Sequence, residues 1–269
     1  MTYIRIANTV LSLGAGSVLD LLGREYGGFL VIFSLALVAG MVEVFLLAGI
    51  KGDSVRRSRR ISWPEFRRRL PEPFAHPRYR AFLFFSLGFF FFHFAAVSYV
   101  PLYQYKYLHL SYLTITLYNT AIFILMILLT RVWSSVEQRI GQRRVLVASA
   151  SLMAMDFVVY GFLTPGTLWL LPVSVLIAGT GGAGFWACIL PYRYNLMPKE
   201  GKSIFEAWNG TLFAIAGLCG ALAGGWLQQV LPAVDAGWLS FSPFQMIFLG
   251  AGGMALLSVR VFDRVEKGK

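Results

Sequence analysis

The stretch Tyr79–Val100 reads YRAFLFFSLGFFFFHFAAVSYV, and after Arg80 it runs for twenty residues without an Asp, Glu, Lys or Arg. A hydrocarbon core about 30 Å thick is crossed by about 20 apolar residues in a helix rising 1.5 Å per residue. The run therefore has the length of one membrane crossing. Phenylalanines at 84, 85 and 89–92 leave no polar face for water to wet, which sets it apart from the striped helix of a soluble domain. It does not alternate as a barrel strand must. Where water is absent, a helix satisfies every backbone N–H and C=O within its own segment.

Moving outward, stretches of similar length recur at Tyr3–Leu22, Gly28–Ile50, Tyr112–Val132, Val145–Leu163, Leu168–Leu190, Ser203–Val230 and Pro243–Phe262. With Tyr79–Val100 they predict an all-α, polytopic integral membrane protein of about eight transmembrane helices. The first is the weakest, because Asn8, Ser12 and Asp20 interrupt it. Composition agrees: 57% of the 269 residues are hydrophobic and only 14% charged, against about 25% charged in a soluble domain. A second apolar span follows the first almost at once, so the N-terminus is read as a span and not as a cleaved signal peptide.

The net charge of +11 lies between the apolar stretches, which points to anionic lipid head groups and away from nucleic acid. If the chain starts in the cytoplasm, all but Arg24 and Lys106 of its 24 Lys and Arg fall on the inner side. That asymmetry is the positive-inside pattern, and a wrong number of spans would scramble it. The sequence thus predicts a multi-pass protein of the cell membrane with both termini cytoplasmic. Residues 1–50 form two helices, 51–79 a basic cytoplasmic linker and 80–269 a six-helix bundle. Pro64, Pro71, Pro73 and Pro77 keep the linker from being one helix, and its arginines suit lipid phosphates. Cys188 and Cys219 both lie inside apolar runs and read as small packing residues.

The inner loop Trp133–Leu146 reads WSSVEQRIGQRRVL. It resembles the G-x-L-x-D-R-x-G-R-R signature of the major facilitator superfamily of transporters. Arg139, Gly141 and Arg143 match, while Gln138 stands where the family has Asp, Ser134 replaces the first Gly and Gln142 replaces one Arg. Glu137 is the nearest substitute for the missing acid. The long basic linker before six spans is similar to the family's central loop and C-terminal half. The short loop Pro191–Ser203, with Asn195, Pro198 and Lys199, is similar to its connection between the tenth and eleventh helices. The resemblance implies that the first two spans correspond to the fifth and sixth helices, that the chain is a fragment lacking four leading helices, and that Arg139, Gly141 and Arg143 form a gating loop.

Polar groups at membrane depth are costly and turn toward a bundle interior or a water-filled cavity. His93, Tyr99, Asn119, Trp186, Trp208 and Asn209 are such groups, and the resemblance implies that their four helices line the central cavity. These six are the expected solute-binding residues. Glu43 and Asp156 belong to spans that the resemblance puts at the periphery, so they are expected to pair internally or reach the interface. An imidazole titrates near neutral pH, which makes His93 a candidate for a coupling proton.

Gly220 and Gly224 have G-x-x-x-G spacing. That suits either close helix contact or a surface on which helices slide. Gly179–Gly184 formally fits G-x-G-x-x-G, but a dinucleotide site needs a soluble βαβ unit. No G-x-x-x-x-G-K-[ST] motif is present to handle ATP. His76, His93 and His109 are spread over the inner linker, the membrane middle and an outer loop, so no metal site or cofactor is expected. The expected activity is secondary transport of a small solute by alternating access, driven by an ion or solute gradient. The competing classes are a membrane-embedded transferase, which needs interfacial acid/base pairs or metal ligands, and a non-transporting fragment.

Overall fold

A computed structural model describes residues 26–49, 63–198, 201–235 and 240–267, together with Gly14. The expected first span, Tyr3–Leu22 apart from Gly14, and residues 51–62 of the basic linker lie outside the described residues. The chain divides into two compact units, Met1–Leu70 and Pro71–Lys269. The first contains α1 (Tyr26–Gly49) and the short α2 (Trp63–Arg69). Along α1, Phe33, Leu35, Leu37, Val44 and Phe45 are all exposed, as expected of a helix solvated by lipid.

The second unit holds α3 (Glu72–Ala75), α4 (Pro77–Val97), α5 (Val100–Lys106), α6 (Tyr112–Ile140), α7 (Gln142–Gly161), α8 (Leu170–Leu196), α9 (Lys202–Val230) and α10 (Pro243–Lys267). Because α5 continues α4, the unit contains six helices long and apolar enough to span a membrane. The architecture is all-α and polytopic, as the sequence predicts. A two-residue antiparallel pairing, β1 (Val234–Asp235) with β2 (Ser240–Phe241), closes the loop before α10.

Local chemistry sets the helix ends. Pro77 opens α4 at a position where its missing N–H costs nothing. Ser111 caps α6 by accepting the Thr114 N–H at 3.1 Å. Before α10, Ser242 Oγ accepts the Gln245 N–H while Gln245 Oε1 accepts the Ser242 N–H, a reciprocal cap. Between α6 and α7 the chain reverses at a single residue, Gly141, with φ 87° and ψ 153°. That region is essentially closed to side-chain-bearing residues.

Helix contacts run in one series, α9–α4–α10–α7–α8–α6. Exchanging α4 with α8, α6 with α9 and α7 with α10 reproduces the same series read backward. The bundle is thus two three-helix repeats, α4–α6–α7 and α8–α9–α10, with matching neighbours. The end members α6 and α9 are the least buried, at 22% and 17% of their apolar segments against 44–56% for the other four spans.

In lipid there is no hydrophobic drive between helices, so close van der Waals fit and interhelical hydrogen bonds hold them. The interior is aromatic: Phe82, Phe89, Phe185, Phe205 and Phe248 are fully buried, and Phe85 stacks on Phe262 with ring centres 4.5 Å apart. A Cβ on Gly220 or Gly224 would run into the carbonyl oxygens of Phe91 and Ala95 on α4. Of the two readings of that spacing, close contact is the one realised. A Cβ on Gly181 would meet the backbone of Met153 and Ser149 on α7, and one on Gly184 the Ser149 side chain and the Trp133 ring of α6, so the formal G-x-G-x-x-G run is a helix contact surface.

Candidate functional site

The bundle has two polar ends. At one, Arg143 pairs with Asp263, Lys267 pairs with the same carboxylate, and Arg193 pairs with Glu206 at 2.9 Å. Asn195 donates to Gln142 Oε1 at 2.8 Å, and Tyr79 donates to the Phe205 carbonyl at 2.7 Å. These bonds tie α7 to α10, α8 to α9, α8 to α7 and α4 to α9. Of the expected gating loop, Gly141 makes the turn and Arg143 reaches α10, while Arg139 is exposed at the end of α6. Glu137 faces α8, where the Cys188 thiol donates to it at 3.4 Å.

At the other end the bonds are uncharged. Tyr103 donates to the Leu163 carbonyl at 2.6 Å, Gln245 donates to the same oxygen at 3.2 Å, and Gln104 donates to the Tyr160 hydroxyl at 2.7 Å. Gln104 is fully buried and its Oε1 has no partner among the described residues.

Between these ends lies a cavity of about 190 Å³. His93 enters it from α4, Asn119 and Tyr118 from α6, Asp156 and Tyr160 from α7, and Trp186 from α8. Apolar wall comes from Ile122, Met126, Met153 and Phe157, and Gly182 leaves room on the α8 side. No Lys or Arg lines it. His93 Nδ1 is buried and unpartnered among the described residues, with the imidazole edge-on to Phe157 at 5.3 Å. Asn119 spends one N–H on the Ile115 carbonyl of its own helix at 3.1 Å. Asp156, 9% exposed, accepts from the Ser174 hydroxyl on α8, and Ser174 in turn lies 2.8 Å from the Tyr118 hydroxyl. A larger groove, about 490 Å³ between α4 and α10, is walled by residues such as Phe84, Leu257 and Val261 and suits lipid tails better than a polar solute.

Three of the six expected residues, His93, Asn119 and Trp186, therefore meet in one cavity. The other three lie elsewhere. Tyr99 donates to the Ala221 carbonyl on α9 at 2.7 Å. Trp208 packs edge-on against Phe74 at 4.9 Å. Asn209 is 7% exposed, and its Oδ1 is buried without a partner among the described residues.

The family model described as MFS/sugar transport protein matches residues 4–191. The chain belongs to this family. No curated protein and no solved structure matches the chain. As a major facilitator, it is a transporter, and the cavity walls hold polar groups that are not among the six expected residues: Asp156, which was expected to pair internally or reach the interface, Tyr118 and Tyr160, with Ser174 behind them. The signal for two of them was present, since Asp156 and Tyr160 stand four residues apart and so share a helix face. The hydroxyl chain from Tyr118 through Ser174 had no such signal, because it depends on how α6 and α8 are rotated about their axes.

Proposed function

We propose that the cavity among α4, α6, α7 and α8 is the solute site of a secondary transporter working by alternating access, and that the solute is a sugar or another small polyhydroxyl compound. The juxtaposition of His93, Asn119 and Trp186 with a buried carboxylate carries this reading. Trp186 offers a flat apolar face to the C–H side of a sugar ring, and Asn119, His93 and Tyr118 offer directional hydrogen bonds to its hydroxyls. The unpartnered Oδ1 of Asn209 is a further acceptor within the bundle. Tyr99 and Trp208 act with it from outside the cavity wall, by fixing α9 against α4 and α3.

Alternating access rocks one helical repeat against another around a midplane site. The two matched three-helix repeats supply that element here, and the weakly buried outer faces of α6 and α9 are where a second half would bear. The ion pairs Arg143–Asp263 and Arg193–Glu206 then act as latches at the basic end, with Arg139 and Gly141 in the same gating turn. By the distribution of Lys and Arg that end faces the cytoplasm in the cell membrane, and the segment 51–79 rests on anionic lipid.

The test is uptake of a panel of radiolabelled mono- and disaccharides by cells making the full-length protein. His93→Ala and Asn119→Ala should each lower uptake at least about tenfold, the worth of one hydrogen bond to a buried partner. Unchanged uptake at equal surface expression would remove both residues from the site.

A further inference from the structure

Asp156 sits where a carboxylate is hardest to keep charged. It is 9% exposed, and it lies within the membrane-spanning helix Gln142–Gly161, about a turn and a half before its end, and in the wall of a cavity that no Lys or Arg lines. Every other acid placed in the six spans sits at the basic end. Asp263 has Arg143 and Lys267, Glu206 has Arg193, Glu137 has the Cys188 thiol and Glu266 the Tyr192 hydroxyl.

Around Asp156, α8 presents the Ser174 hydroxyl, α6 presents Tyr118, α7 itself adds Tyr160, and α4 presents His93 across the same cavity. Gln104 of α5 reaches Tyr160, and α10 packs the ring of Phe248 against it and the uncharged Gln245 nearby on the Leu163 carbonyl. None of these side chains is a permanent cation. A buried carboxylate without a cationic partner carries a large desolvation cost that binding of a positive species removes.

We propose that Asp156 is a proton-binding site of this transporter, its carboxyl taking up a proton from water in the cavity and returning it during each transport cycle. The inference rests on the transport reading given above and names what that site takes besides solute. The step is a simple protonation: one O–H bond forms on a carboxylate oxygen and later breaks, with no electron transfer and no co-reactant. A proton fits better than a metal cation because the available oxygens are arranged in series, Tyr118 to Ser174 to Asp156. A hard cation needs several oxygens converging on one point. His93, with its Nδ1 unpartnered among the described residues, is the other group lining this cavity that can take up a proton near neutral pH.

The experiment needs no solute. Purified full-length protein in liposomes is exposed to dicyclohexylcarbodiimide, an apolar reagent that attacks protonated carboxyls, and modification of Asp156 is read by peptide mass spectrometry. It should fall by at least about tenfold between about pH 5 and pH 9, because each pH unit past the midpoint removes nine-tenths of the protonated form. Sodium chloride at fixed pH should not change it. Modification that is flat with pH, or absent throughout, overturns the proposal, and so does protection by sodium, which would make the occupant a metal cation. Asp156→Asn, folded as judged by its elution profile, is the unmodified control. If Asp156 titrates but no sugar is taken up, the solute reading fails and the proton site stands. If sugars are taken up but Asp156 does not titrate, only the proton site fails.

Discussion

At the scale of single residues, the clearest dependence of structure on identity is at Gly141. With φ 87° and ψ 153° it is the single residue that joins α6 to α7. A Cβ there meets no neighbouring atom, so any penalty of substitution comes from the backbone alone. Gly141→Ala should lower the stability of the detergent-solubilised protein by about 1–3 kcal/mol, read as a drop in melting temperature by fluorescence-detected size exclusion. An unshifted melt would mean that the turn relaxes at no cost. The sequence identified this glycine through its place in a recognisable loop signature. His93, Asn119 and Trp186 were legible for a different reason: each is a polar or amphipathic side chain at a depth where lipid cannot satisfy it. Asp156 met the same criterion. Its helix has a peripheral counterpart in the resembled family, yet a helix can be peripheral in the whole protein and still turn one face into the bundle.

Elements were legible to the extent that lipid, and not neighbours, dictates them. All six described spans of the bundle were placed by length and charge alone, because a bilayer fixes both. Which helix touches which was not legible. These spans are apolar on every side, so no polar stripe marks the buried face as it would in water. The exception is the small-residue stripe of α9, where Gly220 and Gly224 let the backbone of α4 approach. The counterpart contact under exchange of the repeats, α6 against α8, uses glycines on α8, where Gly179 meets Leu125 and Gly182 meets Met126. The two repeats thus match in helix order but not in which partner supplies the glycines.

A comparison within one helix tests this. A Cβ at Gly210 meets nothing within 4 Å, so Gly210→Ala should be neutral or slightly stabilising through helix propensity. Gly220→Ala and Gly224→Ala must push α9 off α4 and should each cost about 1–3 kcal/mol. Equal melting temperatures for the three variants would remove close contact as the reason for these glycines.

For the whole molecule, the contact series that reads the same after its repeats are exchanged has a consequence for orientation. Each repeat has three spans, an odd number, so the second begins on the side of the membrane opposite the first. The two are then related by an axis lying in the membrane plane. Such a bundle has no intrinsic preference for which end faces the cytoplasm, because turning it over returns the same arrangement of helices. What breaks the tie is charge. The ion pairs and the Gly141 turn gather at one end, while at the other Tyr103, Gln104 and Gln245 make uncharged bonds. Orientation is therefore expected to follow the Lys and Arg distribution. Single cysteines in a Cys188→Ala/Cys219→Ala background check it, one at Gly166 in the turn between α7 and α8 and one at the exposed Gln138 near the end of α6. On intact cells a membrane-impermeant maleimide should modify Gly166→Cys and leave Gln138→Cys untouched until the membrane is permeabilised. The reverse pattern would mean that something other than the arginines orients the bundle, and the Arg143–Asp263 and Arg193–Glu206 ion pairs would then lie at its outer end instead of its inner one.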